Sequence, residues 1–229
     1  MRIAALVFLA LLLVAGCSEA NRGRPRAGST APAPTTRTSQ PAPTTAKPSQ
    51  PAGPPAPGTP IADVITWIEA ADPADPAAFH SATRQGSVTQ LQHNDVAFTT
   101  PSGKTRCMTD SMFSSGDLAC LVQLTKPPPR PNDIEGQWIG NWVQFDGPAL
   151  TVGGIHGDPG RFVYGDGAQL PYGKALKFGD YQCRSDQVGL FCVNYAHQSA
   201  ARISDAGVEP FGCLQNVAPP PDIGQKFSC

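Results

Sequence analysis

The chain has 229 residues, 25 of them proline and seven cysteine, with a formal net charge of −1 and 15% charged side chains. That balance speaks against a nucleic-acid binder, whose phosphate contacts need clustered lysine and arginine. Eleven of the prolines fall between Arg24 and Pro60. The remaining 169 residues, Ile61–Cys229, suffice for one core burying roughly 70% of its unfolded surface, and exclude a large multidomain enzyme or a polytopic membrane protein.

Within residues 1–16, Arg2 precedes an unbroken apolar run, Ile3–Val14. The run has the length of a secretory signal and is too short for a hydrocarbon core, which needs about 20 residues. It closes on Val14-Ala15-Gly16-Cys17, small residues before a nucleophilic thiol, which resembles the lipobox of bacterial lipoproteins. The resemblance implies removal of residues 1–16 as a lipoprotein signal peptide. It also implies lipidation of Cys17 with diacylglycerol and palmitate, and anchoring on the outer face of the cytoplasmic membrane. An ordinary signal peptide with an incidental cysteine is the competing reading. Two or three acyl chains hold far more firmly than one, at about 0.8 kcal/mol per buried methylene.

Residues 17–60 carry almost no large apolar side chain and cannot offset the entropy of folding. They are expected to be a disordered tether with a ceiling on the order of 130 Å at about 3.1 Å per residue. Arg22, Arg24 and Arg26 stand where they would meet anionic headgroups, and the Thr/Pro pairs have the composition of O-glycosylated stalks.

One globular domain is expected over 61–229. Ile61, Val64, Ile65 and Ile68 follow helical spacing, with Thr59 as a candidate cap and Pro60 at the first helical position. Asp72-Pro73 ends that helix, and Asp75-Pro76 opens a second turn carrying Phe79. Beyond about residue 87, short runs alternate with Gly, Pro, Asn and Asp: Asn94–Thr100, Leu118–Leu124, Gln137–Phe145, Arg161–Tyr164, Lys177–Cys183 and Gly189–Tyr195. These predict a mainly β, antiparallel domain, with Thr125–Gly136 as an irregular surface loop.

Six cysteines remain after lipidation: Cys107, Cys120, Cys183, Cys192, Cys213 and Cys229. An even number in an exported domain implies disulfides, with 15 connectivities open. An internal echo narrows them. Cys107-Met108-Thr109-Asp110 leads to Leu118-Ala119-Cys120-Leu121-Val122, and Cys183-Arg184-Ser185-Asp186 leads to Leu190-Phe191-Cys192-Val193. Each reads as a hairpin with a cysteine on both arms, so 107 is paired with 120 and 183 with 192, leaving 213 for 229. Metal ligation competes weakly without a CxxC pair.

His80, His93, His156 and His197 show no zinc-binding spacing, and no metal or cofactor is expected. His156, among glycines and beside Asp158, is the candidate catalytic pair. No GxSxG elbow or SxxK pair occurs in the domain, although triads need no local motif. On a regular strand Trp138, Gly140 and Trp142 share one face, opposite Ile139, Val143 and Phe145. Trp138 and Trp142 are therefore the candidate ligand-binding platform, with core packing as the bland alternative.

Phe98-Thr99-Thr100-Pro101-Ser102-Gly103 leading to Cys107, then Leu118-Ala119-Cys120, resembles a signature of uncharacterised actinobacterial exported proteins. Leu170-Pro171-Tyr172-Gly173, Cys183 and Gly189–Asn194 resemble its second half. The architecture is similar to proline-rich mycobacterial lipoproteins, departing at Ala196-His197-Gln198-Ser199, where a glycine-rich stretch is expected. The resemblance implies a small disulfide-bonded, mostly β domain and supplies no activity. The functional expectation is a non-enzymatic interaction or ligand-binding module, partnered by the membrane through its lipid and by an envelope glycan, lipid or protein. An envelope hydrolase acting on glycan, peptide or lipid is the alternative.

Overall fold

The computed structural model describes residues 53–157 and 160–229. The signal peptide, Cys17, the proline-rich stretch up to residue 52 and Asp158 lie outside them. The apolar spacing after Pro60 forms α1 (Ile61–Glu69), whose N-cap is Pro60 with no side-chain bond. Thr59 does not cap it: its hydroxyl donates to the Ala56 carbonyl instead. Val64, Trp67 and Ile68 pack on Phe191, Val193, Ala200 and Phe211, and the Arg184 guanidinium lies 3.6 Å from the Trp67 ring centroid.

The strands are β1 (Asp72–Pro73), β2 (Ser81–Arg84), β3 (Ser87–Gln90), β4 (Ala97–Thr99), β5 (Thr105–Thr109), β6 (Leu118–Val122), β7 (Trp138–Phe145) and β8 (Ala149–Ile155), followed by β9 (Asp166–Gln169), β10 (Lys174–Phe178), β11 (Tyr181–Asp186), β12 (Gly189–Asn194), β13 (Ser199–Ser204), β14 (Gly207–Gly212), β15 (Gln215–Val217) and β16 (Ile223–Ser228). The smaller sheet runs β1-β10-β11-β12-β13-β14 and the larger β15-β16-β8-β7-β6-β5-β4-β9-β2-β3. Only β1–β10 and β4–β9 are parallel pairs among the described residues. The domain is thus mostly β with one short helix.

The expected turn at Asp75-Pro76 is a 3₁₀ turn, Pro76–Phe79, with the Asp75 carboxylate accepting from the Ala77 N–H and Phe79 buried. Two expected strands are corrected. Arg161–Tyr164 belongs to a second 3₁₀ turn, Gly160–Tyr164. Lys177–Cys183 is broken at Gly179-Asp180, so its halves belong to β10 and β11, which pair with each other.

The two sheets face each other across one core. Phe98, Leu118, Val143 and Phe145 meet Leu176, Tyr181, Leu190 and Ile203, with Cys107, Cys120, Cys183 and Cys192 among them. Cys107 stands opposite Cys120 and Cys183 opposite Cys192 across their hairpins, each pair with Cα atoms 4.0 Å apart and disulfide-bonded. Cys213–Cys229 closes the C-terminus. By chain entropy, loops of this size contribute about 3 kcal/mol each. Such bonds belong to an oxidising, extracytoplasmic environment.

Cross-links of another kind align the sheets at one end. The Tyr181 hydroxyl donates to the Phe145 carbonyl and the Ser199 hydroxyl to the Gly147 carbonyl, at 3.0 and 2.6 Å. This end carries the loops after β5, β7, β10 and β12, and the start of α1, because a Cβ on Gly212 would lie 3.3 Å from Ile61 Cγ1. In the loop after β12, Gln198 holds φ near +51°, a conformation glycine adopts without strain. No described helix is long and apolar enough to cross a membrane.

Candidate functional site

The outer face of the larger sheet divides into a covered half and an open half. Ala97, Met108 and Ala119 stand in register across β4, β5 and β6. The two alanines leave room above the sheet. Phe162 fills it, packing with Ala82, Met108, Ala119 and Trp142. Arg161 fastens the segment: its guanidinium donates to both oxygens of Asp117, at 2.7 and 3.1 Å, and both side chains are largely buried.

One pleat along, the next row is Thr99, Arg106, Leu121 and Trp142, and here the face is open. A concavity of about 650 Å³ is lined by Arg84, Arg106, Leu121, Trp138, Asn141 and Asp166, among others. A second, of about 480 Å³, adds Thr99, Lys104, Gln123 and Gln169 and shares Arg106, Leu121, Asn141 and Asp166 with the first. A third, beside Pro127–Arg130, shares Trp138, Gly140 and Asn141 with the first. Together they form one groove, with Asn141 on all three parts.

Its chemistry is polar. Arg106 pairs with Asp166 at 3.0 Å, both about half exposed, while its guanidinium carbon lies 5.5 Å from the Phe162 ring centroid. Arg84 donates to the Val163 carbonyl at 3.0 Å. Lys104 is bound to Asp205 at 2.6 Å, a hydrogen bond and charge pair that raise the ammonium pKa. The amides of Gln137, Asn141 and Gln123 contribute both donors and acceptors.

The two tryptophans reach the groove by different routes. Between Ile139 and Val143, β7 takes a bulge against β8, so the regular alternation expected for Trp138, Gly140 and Trp142 is broken. Ile139 leaves the face of Val143 and packs with Trp142. Trp142 is 3% exposed, stacked on His156 with ring centroids 3.9 Å apart and edge-on to Phe162. Trp138 is partly exposed, and its indole N–H donates to the Pro128 carbonyl at 3.3 Å. It lies across two glycines. A Cβ at Gly153, which holds φ +70°, would come within 2.8 Å of the ring, and one at Gly140 within 3.1 Å of its nitrogen. Both indoles line the 650 Å³ concavity, Trp142 by an edge and Trp138 by more of its surface.

His156 stands behind Trp142 rather than in the groove lining. Burial, and after it the charge of Arg161, lowers its pKa from 6.5 to about 4. Its ring makes no hydrogen bond to a described side chain. Asp158, its expected partner, lies outside the described residues.

The sequence did not point to Arg106, Asn141 or Arg84 as site residues. They are isolated in sequence and meet only through strand register. Arg106 did carry a signal, since it precedes an inward disulfide cysteine and so must face outward. A second cluster was also missed. The Ser111 hydroxyl donates to Asp95 Oδ2 at 2.8 Å and lies 3.4 Å from His93 Nδ1. Asp95 also accepts from the Thr109 hydroxyl and the Ser111 N–H. The acid thus holds the serine rather than orienting the histidine, the reverse of a nucleophile–base–acid relay. The cluster fastens the loop after β5.

No family model, curated protein or solved structure matches this chain.

Proposed function

We propose that this chain is a cell-envelope lipoprotein, anchored through Cys17 to the outer face of the cytoplasmic membrane, whose domain is a non-enzymatic module binding an envelope glycan. The resemblance of Val14-Ala15-Gly16-Cys17 to a lipobox, and of the signature and architecture to proline-rich mycobacterial lipoproteins, supports the anchor, and the disulfides agree with export. The observation that carries the ligand class is the composition of the groove. The amides of Gln123, Gln137 and Asn141, two arginines and a partly exposed indole suit hydroxyl-rich rings, which need hydrogen bonds in both directions and one apolar face. A lipid would call for a deep apolar cavity, and this groove is shallow and polar. The hydrolase alternative would rest on His156 and Asp158; an imidazole held near pKa 4 is a poor base at neutral pH, which favours the binding reading.

Two experiments test this. Cys17→Ala should move the chain out of the detergent phase or leave an uncleaved precursor; a mature, lipid-partitioning mutant defeats the anchor. Titration calorimetry with soluble envelope polysaccharide fragments should show binding that Asn141→Ala weakens about 3–10-fold, the worth of one neutral hydrogen bond. Affinity unchanged in Asn141→Ala and Arg106→Ala removes the groove from the account.

A further inference from the structure

The titratable side chains of the groove are nearly all of one sign. Among the described residues, its three parts present Arg84, Lys104, Arg106 and Arg130 against a single carboxylate, Asp166. Asp205 answers Lys104 from outside the lining. Lys126, Asp133 and Glu135 share the loop of Arg130 and do not line the groove. With Asp166 and Asp205 both set against the four cations, an excess of two positive charges remains, on a chain whose formal net charge is −1. The acids gather elsewhere: Asp110, Asp146 and Asp180 stand in the loops after β5, β7 and β10.

Two of the four cations have no acid partner. Arg84 donates to the Val163 carbonyl, and Arg130 to the carbonyls of Ile134 and Gly136. Among the described residues, neither guanidinium lies within ion-pair distance of a carboxylate. Carbonyl partners fix where a guanidinium points and leave its charge unopposed. Arg106 sits at the junction, lining both of the larger parts, with Arg84 in one and Lys104 in the other. Its backbone is held by the neighbouring Cys107–Cys120 disulfide. Only one of its five N–H donors goes to Asp166, which leaves the rest of the fork for a ligand.

Hydroxyls alone do not answer this set of groups. A hydroxyl both donates and accepts and is matched by an amide, whereas a guanidinium only donates. Its planar fork fits the paired oxygens of a carboxylate or a phosphate, in hydrogen bonds about twice as strong as neutral ones. We infer that the groove selects an anionic glycan, with Arg84 and Arg106 binding carboxylate or phosphate oxygens carried on the sugar chain. The amides and Trp138 then take the rings between the charged groups. This rests on the glycan reading proposed above and narrows it. Because the arginines are partly exposed, the preference for charge weakens as salt shortens the screening length.

The test is titration calorimetry of the disulfide-bonded chain with two matched pairs of probes. One pair is oligogalacturonate and its methyl ester; the other is phosphomannan fragments and the same fragments dephosphorylated. Within each pair only the charged group differs. At low salt at least one acidic probe should bind about tenfold more tightly than its neutral form, and the pair that shows the larger difference names the anion as carboxylate or phosphate. The difference should shrink between about 0.01 and 1 M salt, as the screening length falls from about 30 to 3 Å. Arg84→Gln with Arg106→Gln, which keeps planar donors and removes two charges, should abolish most of the preference while the neutral probes still bind. Neutral forms that bind as tightly as acidic ones overturn the inference and leave the glycan reading standing. A preference that persists in the double variant also overturns it. A single-stranded oligonucleotide of equal charge, bound as tightly as the acidic glycans, would reduce the preference to bare charge attraction and overturn it too. Binding of none of the four probes removes the glycan reading and the inference with it.

Discussion

Replacing Trp142 by alanine separates the two indoles by a measurement that needs no ligand. Trp142 is almost wholly buried, stacked on His156 and edge-on to Phe162. Truncation removes its burial and leaves a cavity that Ala119 and Met108 are too short or too constrained to fill, a change that costs about 3–5 kcal/mol. At about 2–4 °C per kcal/mol for a domain of this size, the melting temperature falls by roughly 6–20 °C. Trp138 sits partly in solvent on Gly140 and Gly153, and Trp138→Ala should cost about 1 kcal/mol. Thermal melts by circular dichroism, with disulfides intact, compare the two. A Trp142→Ala protein melting within about 2 °C of the unsubstituted chain would refute the packing described for the outer cluster. A Trp138→Ala protein falling as far as Trp142→Ala would make Trp138 core and remove it from the ligand surface.

Three further outcomes follow from the same face. Because the His156 pKa is lowered to about 4, the folded chain binds fewer protons than the unfolded one between pH 4 and 6.5. Its contribution is present above pH 6.5 and lost as pH falls to 4. The ring is partly solvated, so the loss is about 1–2 kcal/mol after screening; urea midpoints of His156→Gln should fall less over that interval than those of the unsubstituted chain. Arg161→Ala strands the buried Asp117 carboxylate and should cost about 3–5 kcal/mol, with part of the loss recovered in the Arg161→Ala, Asp117→Asn double variant by the same urea assay. Gly167→Ala drives a Cβ into the Ala97 carbonyl, backbone atoms that cannot turn aside. Hydrogen exchange should then show loss of protection across β4, β9 and β2, while the smaller sheet stays protected.

Much of the fold was legible because its signals are local. The helix after Pro60 follows from four apolar residues at helical spacing, and the paired cysteines follow from two hairpins whose arms mirror each other. What the sequence hid has a physical reason in each case. Strands such as Leu190-Phe191-Cys192-Val193 are buried on both faces, between the core and α1, so they do not alternate and their partners cannot be read from a pattern. Arg161–Tyr164 has strand-like residues, yet its role is to cover three outward alanines, a demand set by neighbours distant in sequence. The irregularity of β7 against β8 between Ile139 and Val143 was not legible either, since nothing there but Gly140 hinted at it, although Trp138 and Trp142 still line one concavity. The groove was illegible for a related reason: Arg106, Asn141 and Asp166 lie on three strands, and only the register brings them together.

The central claim is that the open half of the larger sheet binds an envelope glycan without transforming it. Its most direct test is a two-dimensional amide and indole NMR titration of the disulfide-bonded protein with soluble envelope polysaccharide fragments, with the fragments recovered afterwards. Resonances of Arg106, Leu121, Asn141 and the Trp138 indole should shift together and saturably, those of His93 and Ser111 should stay in place, and the fragments should return at their original length. Shifts at His93 and Ser111 in place of the groove, or fragments returned shortened, would contradict it.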